Sequence, residues 1–372
     1  MSHNQLPPAP LQLNQCSLPV VGPVRVYTCG VTPYGVTHLG HASTFVWVDA
    51  LTRVLRHAHL DVILARNVTD VDDVLTEAAR AAHTPYDEFA AMQQYRFDHD
   101  MASLGVRRPD FEPRAHRHIG DVVKLAQGLV DNGSAYVGNG SVYFHGRDVA
   151  SRAGLSEAEA IELSREFGED FDDAGKRHPL DTAVWRASGS TDPAWPSPWG
   201  LGRPGWHGEC AAMVLHTFGS SIDIHAGGKD LHFPHHAYES AMAEAVTGVQ
   251  PFARAWMHVG TVSVNDQKMA KSTGNLVLIE DLLKNHRAAA IRLYLLDRVW
   301  SQDWEFTTGD LAAAEGRLDA LYAAAGRRGN DAAEADIMSA LVNDLDVPRA
   351  VAIALEEGGR AARGLNHVLG LG

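Results

Sequence analysis

Long hydrophobic runs are absent from this chain of 372 residues, although 45% of its residues are hydrophobic. A membrane-spanning helix needs about 20 consecutive apolar residues, so the sequence predicts a soluble protein without a membrane partner. Residues 1–23 also lack the basic segment and the apolar segment that together typify a signal peptide. We therefore expect a cytoplasmic protein.

Cysteine is scarce, with Cys16, Cys29 and Cys210 as the three examples. A small, odd number of cysteines indicates a reducing compartment and favours metal-binding or catalytic roles over disulfide bonds. A single cysteine is nevertheless more often a small buried apolar residue. Each cysteine taken alone therefore says little about function.

Basic residues are fewer than acidic ones. The chain has 32 lysines and arginines and 46 aspartates and glutamates, so its formal net charge is −14. Proteins that bind a nucleic-acid backbone usually carry a basic face. The excess of acidic residues therefore argues against tRNA as a partner. An acidic chain can still carry a local basic patch. Internal repeats and low-complexity tracts are absent as well.

The first informative stretch is residues 27–41, between an apolar run and an amphipathic run. This order predicts a strand, a tight turn and a helix. A helix N-terminus favours phosphate, because its free N–H groups and partial positive charge face the ligand. Gly40 allows close approach of the backbone, and His38 and His41 can donate to phosphate oxygens. A histidine at a helix start is more often a cap or a packed side chain, so this signal alone is weak.

A second stretch, 268–272, carries Lys268 and Lys271 on a loop followed by a glycine. Two such lysines can neutralise the charge of a leaving pyrophosphate, although paired lysines usually lie on a solvated surface. The sequence His38-Leu-Gly-His41 resembles the HIGH motif of class I aminoacyl-tRNA synthetases, and residues 268–272 resemble their KMSKS loop. Both occur in the expected order, about one Rossmann-like domain apart, which predicts adenylate chemistry.

The hydrophobic pattern predicts an α/β fold. Strands are expected at 24–29, 62–66, 141–144, 222–226 and 255–259, and helices at 42–57, 74–82, 86–104 and 115–131. We interpret this order as a Rossmann-like class I synthetase (HUP) catalytic domain with an inserted connective segment and a C-terminal helical domain. The expected divisions are a flexible leader at 1–23, a first catalytic half with a helical extension at 24–149, the insertion at 150–204, a second half with the KMSKS-like loop at 205–277, and a helical bundle at 278–372.

Four residues from remote segments form a candidate metal site: Cys29, Cys210, His235 and Glu239. Thiolates and imidazoles suit zinc, and His235 and Glu239 lie one helical turn apart, so both can face one ion. The spacing differs from that of a zinc finger. Ligands drawn from distant segments are typical of catalytic sites.

With these residues included, about 24–310 resembles the class I branch that contains cysteinyl-tRNA synthetase and the cysteine ligase of mycothiol biosynthesis. The resemblance implies that L-cysteine is activated with ATP and Mg²⁺ to cysteinyl-AMP. It also implies that Zn²⁺ senses the substrate thiolate, for which the serine hydroxyl is a poor substitute. Such discrimination makes an editing domain unnecessary, and none is visible.

The resemblance implies roles by matching motif. Residues implied to act on the phosphates are His38, His41, Lys268 and Lys271. Those implied to hold the cysteinyl-adenylate are Cys29, Gly30, Val31, Thr32, Thr44, Asn67, Val68, Thr69 and Trp206. Those implied to cradle the nucleotide are Gly40, Gly228, Lys229, Asp230 and Val262. The implied zinc ligands are Cys29, Cys210, His235 and Glu239, of which Glu239 matches a ligand of the tRNA synthetase only.

Two acceptors for the cysteinyl group remain as alternatives. The patterns at 32–41, 176–181 and 195–198 favour the ligase, and about 100 residues after Lys271 leave little room for an anticodon-binding domain. We therefore predict a monomer that transfers cysteine to a small-molecule amine, the glucosaminyl-inositol of mycothiol or a related amine of secondary metabolism. His225, which favours the tRNA synthetase, is a candidate base. The alternative is a compact cysteinyl-tRNA synthetase or a tRNA-acting paralogue.

Overall fold

The computed structural model describes residues 11–14, 16–18, 22–189, 192–269 and 273–372. The strands are Leu11–Leu13 (β1), Cys16–Leu18 (β2), Val24–Val31 (β3), Val62–Val68 (β4), Ala135–Gly138 (β5), Ser141–Phe144 (β6), Thr182–Ala187 (β7), Trp195–Ser197 (β8), Gly200–Pro204 (β9), Ile222–Gly228 (β10), Ala253–Val259 (β11), Val262–Val264 (β12), Gln267–Lys268 (β13) and Trp304–Glu305 (β14).

The helices are Leu39–His57 (α1), Asp73–Ala81 (α2), Tyr86–Ser103 (α3), Ile119–Asp131 (α4), Arg147–Arg152 (α5), Glu157–Glu166 (α6), Trp206–Phe218 (α7), His235–Thr247 (α8), Ile279–Asn285 (α9), Ala288–Leu296 (α10), Thr308–Gly326 (α11), Ala333–Val342 (α12), Val347–Glu357 (α13) and Gly359–Leu369 (α14). Short 3₁₀ turns occur at Ala115–Arg117 and Lys229–His232. Among the described residues, no helix combines the length and apolar character that a membrane span requires.

A parallel sheet with strand order β11-β10-β3-β4 forms the centre of the molecule. Its strands are nearly continuous apolar runs because helices cover both faces of such a sheet. Val26, Leu64, Ile224 and Met257 are buried in this way. β3, α1 and β4 form a βαβ unit, as the sequence predicts. All carboxyl ends of these strands therefore meet at one edge.

α1 connects the sheet to the C-terminal helices. Its side chains are buried on most sides, including Phe45, Trp47 and Leu51, because it packs on β4 and β10 as well as on α10 and α14. Arg56 and His57 occupy its last turn, where positive charge complements the helix dipole. The helix thus holds its N-terminus at a fixed place beside the sheet edge.

A separate antiparallel sheet has strand order β5-β6-β7-β9-β8 and packs against α4, α7 and α8. The fully buried Trp185 lies in its core. β5 and β6 precede residue 150 and the other three strands follow it. The sheet therefore extends across the predicted start of the insertion, because strands distant in sequence complete one hydrophobic face.

Part of the predicted flexible leader has a defined structure. β1 and β2 pair as a hairpin, and Leu11, Leu13 and Leu18 are buried in the main core. Gln12 also forms a bridge with Asn343 in the C-terminal helices. Apolar residues alternate along this hairpin, so its buried side chains pack against the core. The expectation of a flexible leader is therefore wrong for these described residues.

Candidate active site

A cleft of about 830 Å³ opens at the carboxyl ends of β3, β4 and β10 and extends to β12 and the insertion. Ligands of open α/β sheets bind at this edge. The predicted site residues that line the cleft are Cys29, Gly30, Val31, Thr32, His38, Gly40, His41, Thr44, Asn67, Thr69, Trp206, Cys210, Gly228, Asp230, His235, Val262 and Lys268.

His38 and His41 lie at the start of α1, with their rings stacked at a centroid distance of 3.8 Å. Burial lowers the pKa of His38 to about 3, so this ring is neutral at pH 7. A neutral imidazole retains one N–H donor. A Cβ on Gly40 would lie 3.0 Å from the His38 ring, which explains why glycine fits between the two histidines.

Backbone contacts tie the start of α1 to the segment that follows the second motif. The N–H of Leu39 donates to the carbonyl of Val277 at 2.8 Å, and His38 forms a bridge with Leu278. The chain that follows the lysine loop is therefore fixed to the start of α1. This contact joins two segments at one edge of the cleft.

Lys268 lies within this edge. Its Nζ is 2.9 Å from Asp230 Oδ2, and it sits 5.9 Å from the ring centroid of Phe167. A Cβ on Gly228 would come within 2.5 Å of Asp230 Oδ1, so a glycine lets that carboxylate reach Lys268. The predicted partner Lys271 lies outside the described residues.

Two of the residues predicted to bind the cysteinyl-adenylate or the nucleotide are not among the described residues that line the cleft. Lys229 is not among the described residues that line it, because its Nζ pairs with Asp303 Oδ2 at 2.7 Å. Val68 is fully buried, and its backbone N–H donates to the Pro113 carbonyl. The Lys229 side chain is thus engaged by a residue far along the sequence, and the Val68 side chain belongs to the protein interior.

Cys29, Cys210 and His235 come together at the base of the cleft. Each offers a ligand atom within 4.8 Å of the other two, and all three residues are buried. His235 Nε2 lies 3.2 Å from Cys210 Sγ. Burial raises the pKa of both thiols above the ordinary value, so a cation is needed to stabilise them as thiolates. Two sulfurs and an imidazole suit zinc.

Glu239 lies on the far side of Cys29. Its Oε2 is 3.7 Å from Cys29 Sγ, and its Oε1 is 3.0 Å from His225 Nε2. Cys29, His225, His236 and Glu239 form a second group whose ligand atoms lie within 4.8 Å of one another. Neither Glu239 nor His225 is among the described residues that line the cleft. His225 is therefore too deeply buried for the role of base that the sequence suggested.

Asn67 connects the two cysteine-bearing segments. Its Oδ1 accepts from the Gly30 N–H at 2.5 Å, and its Nδ2 donates to Cys210 Sγ at 2.8 Å. Beside it, the hydroxyls of Thr32 and Thr69 are 2.7 Å apart. These contacts fix the ends of β3 and β4 against α7 at Cys210.

Several residues that the sequence did not single out also build the site. The Phe167 ring stacks on Trp206 at 5.8 Å, and Trp206 stacks on His235 at 4.0 Å. His207 Nδ1 lies 2.9 Å from His235 Nδ1. Glu209 is buried, and its Oε2 lacks a hydrogen-bond partner among the described residues. The adjacency of His207 and Glu209 to Trp206 and Cys210 was an available signal, whereas nothing local indicated Phe167.

Comparison with known proteins decides the family. The family profile described as "tRNA synthetases class I (C) catalytic domain" matches residues 18–316, most of the chain. The chain belongs to this family. The parallel sheet and the paired HIGH-like and KMSKS-like segments are thus those of a class I synthetase, and the chain is a ligase of the aminoacyl-tRNA synthetase class.

Two relatives of this class I synthetase chain bear different names. A cysteine–tRNA ligase from Alkalilimnicola ehrlichii is 42% identical over 353 residues, covering 90% of this chain and 74% of that protein. An L-cysteine:1D-myo-inositol 2-amino-2-deoxy-alpha-D-glucopyranoside ligase from Streptosporangium roseum is 40% identical over 371 residues, covering 96% of this chain and 90% of that protein.

A solved structure supports the class I synthetase fold. Mycobacterium tuberculosis methionyl-tRNA synthetase in complex with methionyl-adenylate matches with a TM-score of 0.62 at 17% identity. The match covers 94% of this chain and 82% of that one. At this identity the likeness concerns the fold alone.

Proposed function

We propose that this chain activates L-cysteine with ATP to cysteinyl-AMP and transfers the cysteinyl group to an amine of a small molecule. The glucosaminyl-inositol of mycothiol or a related amine is the proposed acceptor. The observation that carries the proposal is one cleft with two buried thiols and an imidazole at its base and His38, His41 and Lys268 at its rim. Such a cleft combines a sulfur-recognising site with a phosphate-binding edge.

Cys29, Cys210 and His235 are the residues that would hold Zn²⁺, with Glu239 behind Cys29. The bound ion supplies recognition of the substrate sulfur, for which an oxygen of serine is a poorer ligand. Asn67 fixes Cys210 through its amide, and the Trp206 ring covers His235. These contacts orient the ligand set before substrate arrives.

In the first step the cysteine carboxylate attacks the α-phosphorus of ATP, the bond to the pyrophosphate oxygen breaks, and pyrophosphate leaves. His38 and His41 donate hydrogen bonds to phosphate oxygens, and Lys268, together with Lys271 by resemblance, neutralises the developing charge. Asp230 would accept from the ribose hydroxyls once Lys268 moves to the phosphates.

In the second step an amine attacks the carbonyl of the mixed anhydride, an amide bond forms and AMP leaves. The amine releases its proton to solvent water as the new bond forms. The acidic composition and the 90% coverage of the Streptosporangium roseum ligase support a small-molecule acceptor. The 42% identity to the Alkalilimnicola ehrlichii cysteine–tRNA ligase supports tRNA as the second candidate.

The activation step is tested by ATP–pyrophosphate exchange with L-cysteine and with L-serine. We expect exchange with cysteine only, and we expect Cys210→Ser to lose both bound zinc and this selectivity. Cys16→Ser is the matched control, because Cys16 is exposed and outside the cleft. Equal zinc content and equal exchange in Cys210→Ser and Cys16→Ser would refute the proposed site.

The acceptor is tested separately. The enzyme, ATP and labelled cysteine are incubated in parallel with glucosaminyl-inositol and with total tRNA. An acid-stable amide product formed only with glucosaminyl-inositol supports the proposal, whereas labelled tRNA alone establishes the second candidate. Because pyrophosphate exchange needs no acceptor, activation and acceptor choice are judged independently.

A further inference from the structure

A cluster of two imidazoles and a carboxylate lies on the surface, where α4 meets α7. His118 immediately precedes α4, Asp121 is in the first turn of α4, and His216 is in the last turn of α7. None of the three residues lines the cleft described above, among the residues that the structure describes.

The three side chains point at one another. Asp121 Oδ2 is 3.0 Å from His118 Nδ1 and 3.1 Å from His216 Nδ1. The two rings pack edge to face with centroids 4.7 Å apart. Ligand atoms of all three residues lie within 4.8 Å of one another.

We propose that His118, Asp121 and His216 form a binding site for a divalent transition-metal ion of the zinc class, separate from the cysteine cluster. Metal–ligand bonds of about 2.0–2.2 Å place neighbouring ligand atoms of a tetrahedral ion about 3.3–3.6 Å apart. The observed separations are close to this spacing, so small side-chain rotations bring the three atoms onto one ion. Two imidazoles and one carboxylate leave a fourth position for water.

The surroundings permit this site. Lys124 pairs with the other carboxylate oxygen, Asp121 Oδ1, at 3.2 Å, and leaves Oδ2 to the imidazoles. The Lys124 side chain is 81% exposed, so it can turn into solvent when an ion binds. His118 is only 13% exposed and His216 is 57% exposed, so the site has one fixed ligand and one open side for entry.

A bound ion would join two helices that already pack on each other. α4 packs against α7, and α7 begins at Trp206 and carries Cys210. An ion that binds only the folded chain stabilises the fold. The gain in free energy of unfolding grows with the logarithm of the ratio of ion concentration to dissociation constant. A bound ion would therefore link α4 to α7, the helix that carries Trp206 and Cys210.

The experiment uses the full chain with Cys29→Ser and Cys210→Ser together as background, so that neither buried ligand group that contains Cys29 dominates zinc uptake. ZnCl₂ is titrated calorimetrically and the thermal midpoint is measured with and without the metal. We expect saturable binding and a higher midpoint in the background variant. Adding His216→Ala or Asp121→Asn should weaken binding at least about 10-fold, since loss of even an outer partner of a ligand costs 10–100-fold.

His99→Ala in the same background is the matched control, because His99 is an exposed histidine on α3 outside the cluster. It should leave zinc binding and the zinc-dependent midpoint unchanged. Asp121→Asn preserves the shape of the side chain, so a folding defect is visible as a lower midpoint without metal. Equal zinc affinity in the background and in its His216→Ala form, or no saturable binding in either, would overturn the site.

Discussion

The proposed phosphate-binding role of a single residue, Lys268, can be tested directly. Lys268 pairs with Asp230 and lies over the Phe167 ring, so it is held near the position that phosphates would occupy. We predict that Lys268→Ala reduces cysteine-dependent pyrophosphate exchange by roughly 30- to 1,000-fold. This corresponds to the roughly 2–4 kcal/mol that one lost charge-stabilising donor costs.

Lys284→Ala is the matched control for Lys268→Ala. Lys284 is an exposed lysine on α9 and pairs with Asp281 at 2.6 Å, one turn away. The exchange rate of this variant should equal that of the wild type. Wild-type exchange in Lys268→Ala as well would remove Lys268 from the phosphate site.

Asp72 gives a prediction of pH dependence. It caps α2 by accepting from the Val74 N–H at 2.9 Å, and burial raises the pKa of its carboxyl to about 6. Stability from this raised pKa is present below the unfolded value of about 4 and is lost as pH rises through 6. Asp72→Asn keeps a capping oxygen, so it should raise the thermal midpoint relative to wild type at pH 8 but not at pH 4. Equal shifts at both pH values would contradict the burial of the charge.

The residues of the site show the limit of sequence reasoning at this scale. Cys29, Cys210 and His235 were identified from motifs, and the structure brings them together. Phe167 has no local signal, because its role depends on how the insertion folds back over Trp206. The place of His225 behind Glu239 also depends on a long-range contact between β10 and α8.

Among the elements, the close approach of β3 and β4 depends on Gly30. A Cβ at this position would lie 1.7 Å from the Asn67 carbonyl oxygen, beside an irregular register between Thr28 and Val31. Backbone must shift to accept a methyl group there, and overpacking typically costs about 1–3 kcal/mol. We predict that Gly30→Ala lowers the free energy of unfolding by at least this amount in urea titrations and reduces exchange activity.

Gly120→Ala provides the comparison for Gly30→Ala. Gly120 lies within α4, and a Cβ there meets no atom of the described residues within 4 Å. Alanine is the better helix former, by up to about 1 kcal/mol in a helix interior, so this variant in the first turn of α4 should be at least as stable as the wild type. If both variants changed stability equally, the steric account of Gly30 would be wrong.

The parallel strands and α1 could be predicted because their apolar runs and their turn are local signals. The strands β3, β4, β10 and β11 all fall where the sequence predicts them, extended by a few residues. β7, β8 and β9 were missed, because their pairing joins the short hairpin β5–β6 across about 40 residues. β8 also contains Pro196, and proline is uncommon in strands because it lacks the backbone N–H. It is tolerated here because β8 is an edge strand of its sheet.

For the whole molecule, a buried charge cluster fixes the C-terminal helices to the catalytic part. Arg292 on α10 is fully buried and donates to Asp49 on α1, to the Leu104 carbonyl at 3.2 Å and to the Leu369 carbonyl. Arg53 also donates to Asp49 at 2.6 Å. Burial alone would raise the pKa of Asp49, but the two guanidinium groups outweigh it and hold that pKa below its ordinary value. One carboxylate thus neutralises positive charge contributed by separate parts of the chain.

Asp49→Asn should therefore separate the stability of this junction from the chemistry of the cleft. The variant leaves the fully buried Arg292 without its counter-charge, and breaking a buried pair in this way costs about 3–5 kcal/mol. Asp319→Asn is the control, because Asp319 is 65% exposed and pairs with Arg287 on the surface, where solvent screens the interaction. We predict a large drop in the urea midpoint for Asp49→Asn and almost none for Asp319→Asn. Equal midpoints would mean that apolar packing of α10 and α14 on α1 holds the C-terminal helices without help from the ion pair.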